Sequence, residues 1–101
     1  MIGDLQLSRE VRLMDEVLVR IAKDGAVAYG RDQVTSAIDY GAVEEVLIAD
    51  SLLHDPATAP LLEKAERMQS RIVGLSTEFE PGERLVALGG IAALLRYRLS
   101  A

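Results

Sequence analysis

Apolar positions along the chain follow two rhythms. Met14, Val17, Leu18, Ile21 and Ala22 recur at helical spacing. So do Val34, Ala37 and Ile38, then Leu61, Leu62, Ala65 and Met68, then Leu85, Val86 and Leu88. Each set marks the buried stripe of a helix. Between them stand short apolar runs at residues 26–29, 43–50, 71–75 and 91–99. The run Val46, Leu47, Ile48, Ala49 has no polar member, as expected of a strand covered on both faces.

Turn and capping residues punctuate the pattern. Ser8 is placed to cap a first helix over residues 8–24, with Glu10 in the first turn where the helix dipole favours an acid. Asp24-Gly25 stops it, the glycine serving as a left-handed cap. A second helix over 31–40 is closed by Gly41. After Asp55-Pro56, Thr58 caps a third helix, with Pro60 tolerated in its first turn. Residues 76–80 read as polar loop with one aromatic, Phe79, and Pro81-Gly82 opens a short fourth helix. Gly89-Gly90 ends that helix and precedes a strand, a pairing that indicates an unusual backbone conformation or a close approach. In the last run Leu95, Tyr97 and Leu99 alternate with Arg96 and Arg98, so that strand is expected to be solvated on one side or to lie at an edge. Strands alternating with helices predict an α/β domain: a three-layer α/β/α sandwich around a small mixed sheet of about four strands, one domain over residues 1–101.

Composition narrows the function. Half of the 101 residues are hydrophobic, enough for a core without covalent staples. There is no cysteine, which removes disulfides, thiolate metal sites and a cysteine nucleophile. No apolar run approaches the roughly 18 residues of a membrane span. The first residues lack the basic region of a signal peptide, and the expected compartment is the cytoplasm. A formal charge of -5 makes the chain a poor general binder of phosphate backbones and favours protein partners. A monomer is the default expectation.

Candidate chemistry is sparse. Gly25 and Gly30 have the spacing of a phosphate loop, but Arg31 and Asp32 replace the lysine and hydroxyl that would do the work. A helix cap, a strand and a turn explain the same residues. His54 is the only histidine, near Asp50 and Asp55; an exposed loop histidine is the simpler reading than a small hydrolase built on those three. Glu44-Glu45 and Glu78, Glu80 and Glu83 read as solvated faces or docking surfaces for a basic partner. The residues alone give no support to an enzyme.

Three motifs in order carry a resemblance. AYGRDQVTSAIDYGAVEEVLIADSLL over residues 28–53, PGERL over 81–85 and GGIAALLRY over 89–97 resemble the C-terminal domain of the Pelota family, ribosome-rescue paralogues of the archaeal and eukaryotic class I translation termination factors. The release factors, whose C-terminal domain is the alternative assignment, have a longer stretch between the central strand and the last helix. Residues 53–79 here leave room for one helix and one strand, which favours the compact archaeal-like rescue factor.

The wider superfamily includes ribosomal proteins that bind kink-turn RNA through a motif in the second helix. The matching stretch keeps Gly30, Val34 and Ala37, which carry the fold. The RNA-gripping positions have become Asp32, Gln33 and Ser36, so no kink-turn RNA is expected, although a structured-RNA module is kept as an alternative.

The resemblance implies a binding module that docks a translational GTPase of the elongation factor 1-alpha type. It also implies a domain that faces the ribosome-splitting ABC ATPase and reaches the ribosome as part of a longer protein in mRNA surveillance and no-go decay. It implies no cofactor in this domain. The nuclease activity and divalent metal proposed for the family belong to an N-terminal domain. The expected contact surface is Phe79, Glu80, Pro81, Gly82 and Leu85, together with Arg96, Tyr97 and Arg98. Gly30, Val34, Ala37, Gly41, Ala42, Asp50, Gly89 and Gly90 are expected to be structural, Asp50 as a cap on the turn that follows it.

Overall fold

The computed structural model describes the backbone of residues 2–97 and the side chains of residues 8–97. Its elements are α1 (Ile2–Ala22), β1 (Val27–Tyr29), α2 (Arg31–Asp39), β2 (Val43–Ala49), α3 (Asp50–Leu53), α4 (Ala59–Arg67), β3 (Arg71–Leu75), α5 (Glu80–Ala87) and β4 (Ile91–Leu95). The four strands form one mixed sheet in the order β1-β4-β2-β3. β2 is parallel to β3 and antiparallel to β4, and β1 is antiparallel to β4.

Both faces of the sheet are covered, which is why β2 has no polar residue after Glu45. Val46 and Ile48 point to one side, where Val34, Ala37 and Ile38 of α2 meet Leu61 and Ala65 of α4. Leu47 and Ala49 point to the other, against Met14 and Val17 of α1 and Leu85 of α5. Val43 joins the α2–α4 side although it stands three residues before Val46. A register shift between Val43 and Glu45 inserts one extra residue, which breaks the two-residue alternation. The exposed Glu44 falls in that bulge.

Several expectations change. α1 begins at Ile2, so Ser8 is an exposed residue inside the helix and not its cap. Asp24, not Gly25, takes the left-handed conformation at the helix end (φ 54°). Thr58 does precede α4, but without a side-chain cap. It is buried, and its Oγ1 accepts a hydrogen bond from Arg31 Nη2 at 3.3 Å. Met68 and Val86, expected in buried stripes, are exposed, as is Ala22. The turn α3 was not expected at all.

The largest revision concerns β4. It stops at Leu95 and lies inside the sheet between β1 and β2, buried at all five positions. It is neither an edge nor a half-solvated strand. Alanines at 92 and 93 leave space for helices on both faces. Arg96 and Tyr97 follow the strand; Arg98 and Leu99 lie outside the described residues.

The glycine pair behaves as expected. Gly89 and Gly90 have φ of 109° and 86°. A side chain on Gly90 would meet Leu52 Cδ1 at 2.5 Å, so α3 packs directly on this turn. Gly30 (φ 84°) and Gly41 (φ 67°) bracket α2 with backbone that other residues adopt only at a cost. Val34, Ala37 and Ala42 are fully buried.

Candidate functional site

The direction of β2 divides the expected contact residues. β3 runs parallel to it, so the 76–79 loop leaves the sheet at the carboxyl end of β2. β4 runs back, with Ile91 opposite Ile48 and Leu95 opposite Val43. Arg96 and Tyr97 therefore emerge at the amino end. A seven-residue strand separates the two groups by about 20 Å. They form two surfaces, not one.

At the carboxyl end the chain turns sharply from β3 into α5. Gly82 makes this turn possible: a Cβ there would lie 2.0 Å from the Ser76 carbonyl oxygen. Pro81, Gly82 and Leu85 are all buried, so these three expected contact residues are framework, with only Pro81 reaching the wall of a surface groove. Phe79 and Glu80 do face outward, Phe79 with 48% of its surface exposed. Half-exposed aromatic residues of this kind recur as anchors in interfaces.

The loop that carries Phe79 is tied from two sides. Glu10 of α1, only 5% exposed, accepts the Ser76 backbone N–H at 3.0 Å through Oε1. Asp50 Oδ1 accepts both the Thr77 N–H at 3.3 Å and the Thr77 hydroxyl at 3.1 Å. Asp50 was expected to cap the turn that follows it; no side-chain cap forms there, and its carboxylate instead holds a loop 27 residues away. Ser76 Oγ adds a bond from the Glu78 N–H at 3.3 Å.

Beside this loop, α1 and α5 leave an open groove of about 130 Å³ lined by Val11, Met14, Asp15, Glu80, Pro81 and Arg84. That is below the roughly 300 Å³ of small-molecule sites and matches one or two inserted side chains. Val11 is 40% exposed, and Arg84 pairs with Glu80 one turn away. Val11 and Arg84 were not expected at the site. Val11 extends the apolar repeat of α1 by one turn towards the N-terminus, a signal present in the sequence. The pairing of α1 with α5 was not.

At the amino end Arg96 Nη2 donates to the carbonyls of Met68 at 3.2 Å and Gln69 at 3.4 Å, beyond the last turn of α4. The Tyr97 hydroxyl donates to Tyr40 O at 3.2 Å. These bonds hold Tyr40, Met68 and Tyr97 on the surface with 71%, 40% and 51% exposure. Tyr40 and Met68 had not been assigned to a contact surface.

The residues named for the alternative chemistries are exposed or engaged elsewhere. His54 is exposed at the end of α3, and the Asp50 carboxylate is engaged with Thr77. Among the described residues no group of three or more histidines and carboxylates converges to hold a metal. Asp32, Gln33 and Ser36 are exposed along α2, and the Gln33 amide oxygen accepts the Tyr29 N–H at 3.3 Å, which commits it to the chain's own backbone. Among the described residues no helix is long and apolar enough to cross a membrane.

Comparison with known proteins supplies the remaining observation. A family model described as eRF1 domain 3 matches residues 7–99. A protein pelota homolog from Methanoregula boonei is 74% identical over 99 residues, covering 98% of this chain and 29% of that protein. Among solved structures, Archaeoglobus fulgidus Pelota superposes with a TM-score of 0.90 at 43% identity, covering 98% of this chain and 32% of that one. Dom34 of S. cerevisiae, a translation termination-like factor in RNA quality control that interacts with Hbs1, gives 0.83 at 35% identity over 91% of this chain and 28% of its own. An archaeal Pelota bound to the ribosome with ABCE1 gives 0.77 at 43% identity over 91% of this chain and 27% of its own. The chain thus spans less than a third of the length of these relatives.

Proposed function

The chain belongs to the eRF1 domain 3 family, and from that membership we propose that it is the protein-docking domain of a ribosome-rescue factor. Its role is to bind, not to catalyse. It works in the cytoplasm and meets the ribosome through the longer protein of which its relatives are examples. The partners of this reading are a translational GTPase of the elongation factor 1-alpha type and a ribosome-splitting ABC ATPase; it is supported by the interaction of Dom34 with Hbs1 and by the ribosome-bound assembly of archaeal Pelota and ABCE1.

The observation that carries the docking reading is Phe79. It stands half-exposed on a loop held by hydrogen bonds from two other elements, beside an apolar groove rimmed by Asp15, Glu80 and Arg84. A loop already ordered before binding loses little conformational entropy when a partner docks. The acids at residues 78, 80 and 83 favour a basic partner face. We assign the GTPase to this surface. The second surface, Tyr40, Met68, Arg96 and Tyr97, is then free for a second partner at the same time.

Titration of the purified domain with a GTP-loaded elongation factor 1-alpha-type GTPase tests this. Phe79→Ala is expected to weaken binding by about 1–3 kcal/mol, roughly 5- to 150-fold, with the fold intact. Arg96→Glu and Tyr97→Ala are expected to leave that affinity unchanged and to reduce capture of the ATPase. If Phe79→Ala and Arg96→Glu both leave every partner bound as before, these surfaces are not the contact sites.

A further inference from the structure

We propose that Glu10 and Asp50 are positioning residues for docking: their carboxylates hold the 76–79 loop in one conformation and so aim Phe79, Glu10 doing so without itself meeting the partner. The inference rests on the docking reading above for its effect on affinity, but its structural half stands alone.

Three observations carry it. First, the two successive amides at the head of the loop both donate to carboxylates, Ser76 N–H to Glu10 at 3.0 Å and Thr77 N–H to Asp50 at 3.3 Å. A hydrogen bond to a charged acceptor is about twice as strong as a neutral one. Second, the two acids come from different layers of the molecule. Glu10 sits on α1, on one face of the sheet. Asp50 opens α3, whose Leu52 and Leu53 pack with the core on the other face. The loop is thus referenced to both faces and cannot follow one helix alone. Third, Glu10 is nearly buried, so it cannot serve as a contact residue itself. Burying a carboxylate is costly without compensating hydrogen bonds, and Ser76 N–H is the donor that this one meets. The close approach of Gly82 to Ser76 completes the constraint from below. Phe79 sits three residues past the first of these ties, and its own N–H bonds back to Ser76 O at 3.3 Å.

The test uses NMR amide exchange and partner affinity on the same variants: Glu10→Ala, Glu10→Gln, Asp50→Ala and Asp50→Asn, each with and without Phe79→Ala. The expected result is exchange at Ser76, Thr77 and Glu78 faster by about tenfold or more in the alanine variants, with the amides of β2 and β4 unaffected. Glutamine and asparagine, which keep an acceptor oxygen, restore part of the protection. Affinity for the GTPase falls with the same ranking, and the loss is smaller when Phe79 is already alanine, because the carboxylates act through that ring. Unchanged exchange at Ser76 and Thr77 overturns the proposal, and so does an affinity loss that simply adds to that of Phe79→Ala. Failure of the docking reading looks different: Phe79→Ala alone then leaves affinity unchanged, and the exchange data by themselves decide whether the two acids hold the loop.

Discussion

Replacing Gly82 by alanine sets two effects of opposite sign against each other. Gly82 lies inside α5, where alanine is normally better than glycine by up to about 1 kcal/mol. Helix propensity alone therefore predicts stabilisation. The structure predicts the reverse. The added methyl would lie 2.0 Å from Ser76 O, 2.5 Å from its carbonyl carbon and 2.9 Å from Thr77 Cα. All three are backbone atoms, so no side-chain rotation relieves the overlap. Overpacking costs about 1–3 kcal/mol when side chains can adjust. Here the whole loop must move and strain its bonds to Glu10 and Asp50, which puts the cost at or above the top of that range. Net destabilisation of about 2 kcal/mol or more follows, a fall in Tm of roughly 8–16 °C for a domain of this size. Thermal denaturation followed by circular dichroism measures it. Gly25→Ala is the matched control: its new methyl meets Arg20 O at an ordinary 3.5 Å, and Tm should rise by about 2–8 °C and not fall. A Tm for Gly82→Ala at or above that of the unmodified protein would refute the close packing of the loop on α5.

Other perturbations probe the rest of the frame. Leu47→Ala, fully buried between the sheet and the α1–α5 layer, should cost about 2–5 kcal/mol in urea unfolding. Arg20→Met should cost about 1–3 kcal/mol in the same assay, because Nη1 donates to the carbonyls of Ala26 at 2.9 Å and Leu95 at 3.2 Å and so ties α1 to the ends of β1 and β4. Asp39→Asn, which breaks an ion pair with Lys64 that is half-exposed on both sides, should change stability by less than about 0.5 kcal/mol.

The layered fold could be read from the pattern of residues because burial imposes periods on it. Val34, Ala37 and Ile38 have the spacing of one face of a helix, and Val46 to Ala49 read as a strand covered on both sides. Gly30, Gly41, Gly89 and Gly90 were legible for a related reason: each sits at an element boundary, and each has the positive φ that glycine tolerates best. The family motifs added order to this and pointed to a docking domain.

The site was less legible, since a surface is made by elements that meet in space. The last run suggests a strand at an edge or solvated on one side, yet β4 ends at Leu95 and is enclosed, because its position between β1 and β2 depends on a crossover that leaves no mark on its own residues. Pro81, Gly82 and Leu85 lie beside Phe79 in the chain and look like one contact motif. Packing turns three of them inward and leaves Phe79 outside. Glu10 and Asp50 stand 40 residues apart, and nothing local tells that both carboxylates end at the same loop. The periodicity of hydrophobic positions is a short-range signal, and it determines which residues are buried and in what kind of element. Which surface residues become neighbours depends on strand order, register and the direction of each crossover. Those are set by long-range contacts across the sheet, and here they place the Phe79 loop and the Arg96 cluster at opposite ends of one strand.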